Sequence, residues 1–394
     1  MSTWVGVGSS KHSDSYQAGR AAAAGAMAQM GLTTADLVLA FGSVRFDQEA
    51  LLRGIRSVTK EASLIGCSTA GEITADGPAK RSVVVMTIQS DRLTAITGVG
   101  PRLDTTPRKA GEEVAWMAAR AKTAEPHVFL MFPDGVSGNV AEAIRGVQMM
   151  LGTSFPIVGG AAGDDFLFQR THQYHQQTVY SNTLVGALLA GPITVGIGAR
   201  HGWRPLGKPR FVTRSLANVV HELDGRPAVH VYEDYFGKGT EELRRESLAR
   251  TTIIYPLGMP IPGEEEYLLR NVLKVSPQGG LIYAGEVPEG SAVRLMMGSK
   301  ERALEAARLA AERAMVSLGT KRPRLALVFS SASRARLFGR EAGDEIRCIR
   351  EVVGLQTPIA GFYSYGEIAP RSSEQYLGQT HYHNETLVVM TVAE

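Results

Sequence analysis

The chain has 394 residues, 44% hydrophobic and 21% charged, which is enough apolar material for two globular domains with full cores. Its formal net charge is only +3, and no apolar stretch approaches the roughly 20 residues that a membrane helix needs. We therefore expect neither a nucleic-acid nor a membrane partner. With two cysteines, Cys67 and Cys348, a disulfide framework is excluded, and a reducing cytoplasm is the natural location.

The predicted elements alternate between strands and helices. An alanine-rich helix over residues 14–30 follows a strand at residues 4–10. A Gly- and Pro-rich segment at residues 198–210 predicts a boundary between domains 1–205 and 206–394, and Pro227 is predicted to begin a helix beyond it. A long helix is predicted over residues 300–318. Further apolar strands are predicted at residues 37–41, 83–88, 128–132, 184–189, 325–329 and 387–392.

One glycine-rich motif occurs three times among these elements. In Pro358–Pro370, an apolar strand runs into a turn framed by Gly361 and Gly366 and ends at the acid Glu367. Glycine permits backbone conformations that are closed to other residues, so we expect tight turns here. The other copies are Leu64–Ile73, with Gly66, Gly71 and Glu72, and Pro156–Phe166, with Gly159, Gly163, Asp164 and Asp165.

The surroundings of the motif repeat as well, since each copy follows a strand and a helix and precedes another strand. This recurrence predicts an α/β fold, a layered α/β sandwich with mixed sheets. We expect it to be built from repeated strand-helix-strand-strand units in two related halves.

Two of these motifs carry a family resemblance. The segments IGCSTAGEI (residues 65–73) and GFYSYGEIAP (residues 361–370), the latter followed by HNETL at residues 383–387, resemble the signatures of the FIST N-terminal and C-terminal domains. The resemblance extends over about residues 36–391. It implies a sensory module of signal transduction, and it names no ligand.

The glycine turns and their acids are candidates for binding a polar ligand, such as an amine-bearing small molecule, through backbone N–H groups and a carboxylate. The alternative is that each carboxylate accepts hydrogen bonds from its own loop and only braces the turn. Tyr363 and Tyr365 would add aromatic walls or pack in the core. We expect the C-terminal loop to contribute most. The predicted ligand-binding residues are Gly66, Cys67, Ser68, Glu72, Asp164, Gly361, Tyr363, Tyr365, Gly366, Glu367, His383 and Asn384.

Three functional hypotheses remain open at this point. The leading one is a non-enzymatic module that binds a small molecule and signals through a separate partner protein. The resemblance also implies a second, because some FIST proteins are haem-based nitric-oxide sensors that act with a histidine kinase or a cyclic-di-GMP enzyme. His201, His383 and Cys67 are the candidate haem axial ligands. The third is a cysteine-dependent enzyme that uses Cys67 as nucleophile. The scattered histidines predict no metal site.

Overall fold

The structure, a computed structural model, describes residues 2–120, 124–237, 248–261, 266–372 and 377–394. One unit occurs three times, in the order strand, helix, strand, helix, strand, two-stranded hairpin, strand. In the first unit the elements are β1 (Thr3–Ser10), α1 (Ser15–Met30), β2 (Leu37–Gly42), α2 (Gln48–Thr59), β3 (Ser63–Ser68), β4 (Glu72–Thr74), β5 (Gly77–Ala79) and β6 (Val83–Ser90). In the second they are β7 (Thr94–Pro101), α3 (Pro107–Ala119), β8 (Pro126–Pro133), α4 (Val140–Leu151), β9 (Ile157–Gly160), β10 (Gln173–His175), β11 (Thr178–Tyr180) and β12 (Thr183–Ala190).

The third unit is interrupted after its first strand, β13 (Thr194–Arg200), by an inserted domain. The inserted domain has its own hydrophobic core, to which Val212, Tyr232 and Leu295 belong. It comprises β14 (Arg204–Leu216), β15 (Val219–Leu223), β16 (Arg226–Pro227), α5 (His230–Phe236), α6 (Leu248–Ile254), β17 (Leu257–Met259), β18 (Leu268–Arg270), β19 (Val272–Val275), β20 (Leu281–Tyr283) and β21 (Ala292–Met297). The third unit then continues with α7 (Lys300–Val316), β22 (Leu325–Ser331), α8 (Ala332–Phe338), α9 (Ala342–Val353), β23 (Ile359–Ser364), β24 (Glu367–Ser372), β25 (Leu377–His383) and β26 (Leu387–Ala393).

These bounds confirm the predicted α/β class with mixed sheets and repeated units. The helix predicted to begin at Pro227 is wrong, because that residue pairs with Glu222 in a short strand and the helix begins at His230. The predicted division at residues 205 and 206 falls in β14, where the chain enters the inserted domain, and it stays a prediction. No helix in the described ranges is both long and apolar enough to cross a membrane.

Polar residues cap the helices at the positions where the chain leaves a strand. The Asp14 carboxylate accepts a hydrogen bond from the backbone N–H of Gln17 (2.8 Å), so α1 begins at the next residue, Ser15. Asn139 caps α4 in the same way through the N–H of Glu142 (3.3 Å). At its other end, α1 stops at Gly31, whose φ of 74° suits glycine.

The three units exchange their hairpins. Each of three six-stranded sheets combines four strands of one unit with the hairpin of another, in the orders β1-β6-β2-β3-β10-β11, β7-β12-β8-β9-β24-β25 and β13-β26-β22-β23-β4-β5. The hairpin of the second unit thus completes the first sheet, that of the third completes the second, and that of the first completes the third. No unit can complete its sheet alone, so we expect the three to fold as one cooperative body.

The sheets enclose a central core and carry their helices outside. Alternate residues of β2 face opposite ways, so that Phe41 lies in the central core while Ala40 packs against the helices of its own unit. Phe41, Phe132 and Phe329 occupy the same position in the three units. All three surround Phe362, at ring-centroid distances of 4.9, 5.9 and 5.4 Å.

The first glycine of each motif is needed for space. A Cβ on Gly66, Gly159 or Gly361 would lie 1.8, 2.0 or 1.8 Å from a carbonyl oxygen of the neighbouring parallel strand. The expectation of special backbone conformations is wrong for Gly361 and Gly366, because neither has a positive φ. A Cβ on Gly366 would instead overlap the ring of Tyr382 (2.2 Å).

We expect Gly66→Ala to lower the free energy of unfolding by about 3 kcal/mol, since the new methyl group overlaps the backbone oxygen of Ala40. Gly25→Ala, on α1, is the control, because its Cβ would lie 3.6 Å from the nearest neighbouring atom, which is ordinary van der Waals contact. Alanine also favours a helix more than glycine does, by about 1 kcal/mol. Urea unfolding followed by circular dichroism measures both, and equal stability of the two variants would contradict the close-approach explanation.

Candidate functional site

The three glycine loops meet and form a closed ring of backbone hydrogen bonds. The first loop joins the second through Gly163 N–H to Ser68 O (3.0 Å) and Asp165 N–H to Thr69 O (3.0 Å). Its contacts with the third loop are Ala70 N–H to Tyr363 O (3.0 Å) and Tyr363 N–H to Gly71 O (2.8 Å). The second joins the third through Ala161 N–H to Gly366 O (2.8 Å) and Tyr365 N–H to Ala161 O (3.1 Å).

Glu72 and Glu367 occupy equivalent positions, and both side chains are completely buried. Glu72 accepts hydrogen bonds from Thr69 Oγ1 (2.6 Å) and from the N–H of Ser82 (3.1 Å). The carboxyl group of Glu367 likewise accepts hydrogen bonds from Ser364 Oγ (2.7 Å) and from the N–H of Thr386 (3.0 Å). Each acid therefore links its own turn to the residue before the next strand, as the brace interpretation predicts.

Burial makes both acids hard to ionise. It raises the pKa of Glu72 to about 7 and the pKa of Glu367 well above its usual range, against the opposing effect of their hydrogen bonds. A neutral or easily neutralised acid braces a loop at lower desolvation cost than a permanent charge would.

The second unit departs from this pattern. Gln173 occupies the place of the glutamates. Across neighbouring strands, Glu72 pairs with Phe362 and Glu367 pairs with Gly160. Gln173 pairs with Cys67, which is the equivalent position in the first unit. The acids that followed the glycines in the sequence lie in a longer loop, residues 161–172.

In this longer loop, Asp164 accepts hydrogen bonds from the N–H groups of Phe168, Gln169 and Arg170 at 2.7–2.9 Å. It also accepts the hydroxyl of Tyr365 (2.5 Å). Asp164 thus turns the loop outward and orients Tyr365.

A cleft of about 700 Å³ lies between the body formed by the three units and the inserted domain. A smaller cavity of about 90 Å³ adjoins it, and Phe168, Arg336 and Tyr365 line both. The cleft wall from the body comprises residues 134–140, Phe168, Arg336, Tyr365 and Tyr382, and the opposite wall comprises Ala217, Asn218, Val272, Leu273, Lys274, Tyr283, Ala284, Gly285 and Glu286.

Aromatic rings form one end of this cleft. Phe168 stacks on Tyr365 with a centroid separation of 4.5 Å and an interplanar angle of 15°. Beside them, the guanidinium carbon of Arg336 lies 4.2 Å from the ring centroid of Phe166. Phe168 nevertheless remains 53% exposed.

Polar contacts bridge the two walls. Glu286 of the inserted domain accepts hydrogen bonds from Arg145 Nη2 and Asn139 Nδ2 of the body, both at 2.6 Å. Burial alone would raise the pKa of Glu286, but these contacts lower it. Buried Arg270 donates to the carbonyl oxygens of Glu286 (2.9 Å) and Tyr382 (3.0 Å). The inserted domain is therefore held on the body by charge-assisted hydrogen bonds.

Of the predicted ligand-binding residues, Tyr365 lines the cleft, and Asp164 positions it. Asn384 accepts a hydrogen bond from the N–H of Asn271 (3.4 Å) and so contacts the inserted domain. Tyr363 packs in the core of the third unit. The remaining predicted residues line neither cavity: Gly66, Cys67, Ser68, Glu72, Gly361, Gly366, Glu367 and His383. Whether they bind a ligand stays a prediction.

The candidate axial ligands do not fit a haem in either cavity. His201 uses both ring nitrogens, accepting the N–H of Trp203 (2.8 Å) and contacting the Tyr267 oxygen (3.0 Å). His383 is hydrogen-bonded to the Ala369 oxygen (3.1 Å), and burial lowers its pKa to about 3. Cys67 is completely buried in the central core, and burial raises its pKa well above the usual range. The last observation gives no support to a reactive thiolate.

The sequence motifs do not include Phe168, Arg336 or Glu286. One signal was available for Phe168, because the segment DDFLFQR places three apolar residues between charged ones in a loop. Leu167 and Phe168 there are 58% and 53% exposed. Arg336 and Glu286 lie in segments without a motif, and only the fold brings them to one cleft.

A buried polar cluster lies behind the smaller cavity. Glu385 is completely buried, and Asn271 and Ser333 lie beside its carboxyl group. Among the described residues, none donates a hydrogen bond of good geometry to either carboxyl oxygen. Burial raises the pKa of Glu385 to about 8, although Asn271, Ser333 and the charge of Arg334 oppose the shift. Glu385 is therefore mostly uncharged at neutral pH.

The chain belongs to the FIST family, whose domains are sensory modules of signal transduction: the FIST N domain matches residues 36–226 and the FIST C domain residues 228–370. An uncharacterized protein of Mycobacterium tuberculosis is 28% identical over 374 residues, 93% of this chain and 94% of that protein. An uncharacterized protein of Methanocaldococcus jannaschii is 26% identical over 263 residues, 61% of this chain and 49% of that protein. Among solved structures, a chorismatase covers all of both chains at 10% identity with a TM-score of 0.35, too low to carry a functional conclusion.

We expect Glu367→Gln to destabilise the fold by about 2 kcal/mol, because an amide cannot accept at both positions where the carboxyl group does. Exposed Glu351 gives the control variant Glu351→Gln. Thermal unfolding should show a melting temperature lowered by a few degrees for Glu367→Gln alone. Unchanged melting of Glu367→Gln would contradict the bracing role.

The pKa of Glu385 predicts a pH dependence of stability. Because the folded-state value of about 8 exceeds the ordinary 4.5, this group stabilises the fold fully below about pH 4.5. The contribution is lost as the pH rises to about 8. Between about pH 5 and about pH 8, the unfolding free energy of Glu385→Gln should therefore change less than that of the wild type, by on the order of 3 kcal/mol. Urea titrations at the two pH values measure this difference, and parallel pH profiles of wild type and variant would refute it.

Proposed function

We propose that this protein is a non-enzymatic sensory module that binds a small molecule in the cleft between the body and the inserted domain. One observation carries the proposal: the cleft of about 700 Å³ has walls from both parts of the molecule and a partly exposed aromatic ring, Phe168, at one end. Concave sites of this size that combine apolar and polar side chains are typical of small-molecule binding.

The position of the cleft provides a way to transmit binding. A ligand that touches both walls would favour one placement of the inserted domain, in proportion to its different affinities for the alternative placements. The contacts that hold the walls together, Glu286 with Arg145 and Arg270 with Tyr382, lie at the edge of the same cleft. Occupancy would thereby change the surface that the protein presents to others.

We further propose that the output passes through a separate protein. The histidine kinase or cyclic-di-GMP enzyme implied by the family resemblance is the partner class to test first. Haem-based sensing of nitric oxide remains an alternative within this proposal, but it would need an axial ligand other than His201, His383 or Cys67.

The proposal is tested by a thermal-shift screen of small metabolites against the wild type and the variants Phe168→Ala and Leu355→Ala. Both side chains are largely exposed, at 53% and 60%, so neither change should harm the fold. Compounds that bind in the cleft should lose about 0.5–1.5 kcal/mol of affinity, about two- to tenfold, in Phe168→Ala. They should stabilise Leu355→Ala as they do the wild type. Hits that stabilise all three proteins equally would place the site elsewhere.

A further inference from the structure

We infer that the ligand of this cleft is a flat anion, a planar ring that carries a carboxylate, with Arg336 and Lys274 binding the acid and Phe168 stacking on the ring. The inference rests on the proposed function, since it names the chemical class that the same cleft would accept. Charge, hydrogen bonding and ring geometry each support it.

The acids of the cleft already have partners. Asp134 accepts hydrogen bonds from the N–H groups of Val136 (2.9 Å), Ser137 (3.0 Å) and Asn182 (2.9 Å). Glu286 is paired with Arg145 and Asn139 across the edge of the cleft. These carboxylates have little capacity left to bind a cationic ligand.

Two acids just outside the cleft are also accounted for. Asp164 accepts four hydrogen bonds, and Glu385 lies behind the smaller cavity, mostly uncharged at neutral pH. Among the described residues that line the cleft, the charge that remains available is positive.

Two cations of the cleft have no such partner. Arg336 and Lys274 are exposed, and neither makes a hydrogen bond or an ion pair with any residue in the described ranges. They lie on opposite walls, Arg336 on α8 of the body and Lys274 on β19 of the inserted domain. An acid held by both would bridge the walls.

Arg336 is also oriented for this task. Its guanidinium rests on the face of Phe166 at 4.2 Å, and cation–π contact with the face leaves the N–H groups at the edge free to donate. A planar guanidinium offers two parallel N–H groups, which match the two oxygens of a carboxylate.

The ring part of the ligand follows from Phe168. Phe168 is stacked on Tyr365 yet remains 53% exposed, so a flat ring can pack against its exposed surface and extend the stack. Val272 and Leu273 supply apolar surface on the facing wall. An amine-bearing ligand, which the acids of the glycine loops predict, would find no unpaired carboxylate among the described residues that line the cleft, because Glu72 and Glu367 lie outside it.

A matched set of probes tests the charge requirement. We expect 2-naphthoate to bind the wild type at millimolar or lower concentration in titrations followed by ligand-observed NMR. The neutral 2-naphthamide and the cationic 2-naphthylmethylamine should bind at least roughly tenfold more weakly, because a charge-assisted pair with Arg336 is lost. Decahydronaphthalene-2-carboxylate, which is not flat, should also bind more weakly.

Variants locate the interaction. Arg336→Gln and Lys274→Gln should each weaken 2-naphthoate binding, the former by roughly tenfold. Arg340→Gln is the matched control. Arg340 lies just after the end of α8, is exposed, and lines neither cavity. Added salt should weaken the binding of 2-naphthoate but not that of 2-naphthamide.

The outcomes separate the two proposals. Equal binding of the amide or the amine, unchanged affinity in Arg336→Gln, or no detectable binding of 2-naphthoate at millimolar concentration would each overturn the flat-anion inference. In the first two cases, sensitivity to Phe168→Ala would keep the cleft as the binding site. If Phe168→Ala also leaves the affinity for the probe unchanged, the cleft is not the binding site, and the proposed function is contradicted too.

Discussion

Each glycine loop is hydrogen-bonded to both of the others, and this closed ring of backbone contacts holds the rest of the molecule in place. The ring forms only if all three hairpins have crossed into a neighbouring sheet, because the loops connect each unit's parallel strands to the hairpin it donates. Close approach of those strands requires a residue without Cβ at Gly66, Gly159 and Gly361. The glycines therefore serve the assembly of the body.

Burial at this ring explains the acids. A carboxyl group in the core must be hydrogen-bonded or neutral, and Glu72 and Glu367 both accept hydrogen bonds from their own loops and have pKa values raised by burial. In the second unit Gln173 takes this place, and the loop before it is longer. That longer loop leaves the ring and carries Phe168 to the surface.

The cleft arises where the symmetry of the three units is broken. The second unit supplies the long loop, and only the third is interrupted by the inserted domain. The two departures meet at the cleft, where Tyr365 stacks on Phe168 and is hydrogen-bonded to Asp164, and where the inserted domain supplies the opposite wall. A body built from three identical units would have neither the aromatic stack nor the facing wall.

Local patterns were enough to predict much of the fold. Apolar runs located the strands, the alanine-rich segment located α1, and the recurrence of strand, helix and glycine loop indicated repeated α/β units. The motif also contained Tyr365, which lines the cleft, and Asp164, which positions it. Its acids, however, could be read as ligand contacts or as braces, because sequence does not show which side of a turn is buried.

The sequence by itself determined the elements and the positions where backbones must come close, since periodicity and glycine act over a few residues. Tertiary structure alone decided which hairpin completes which sheet, because strand pairing depends on contacts between distant segments. It also decided which residues line the cleft, because Phe168, Lys274 and Arg336 come from three separate parts of the chain. Whether Glu286 is free or paired, and whether Glu385 is charged, depends on burial and on neighbours that only the folded chain supplies.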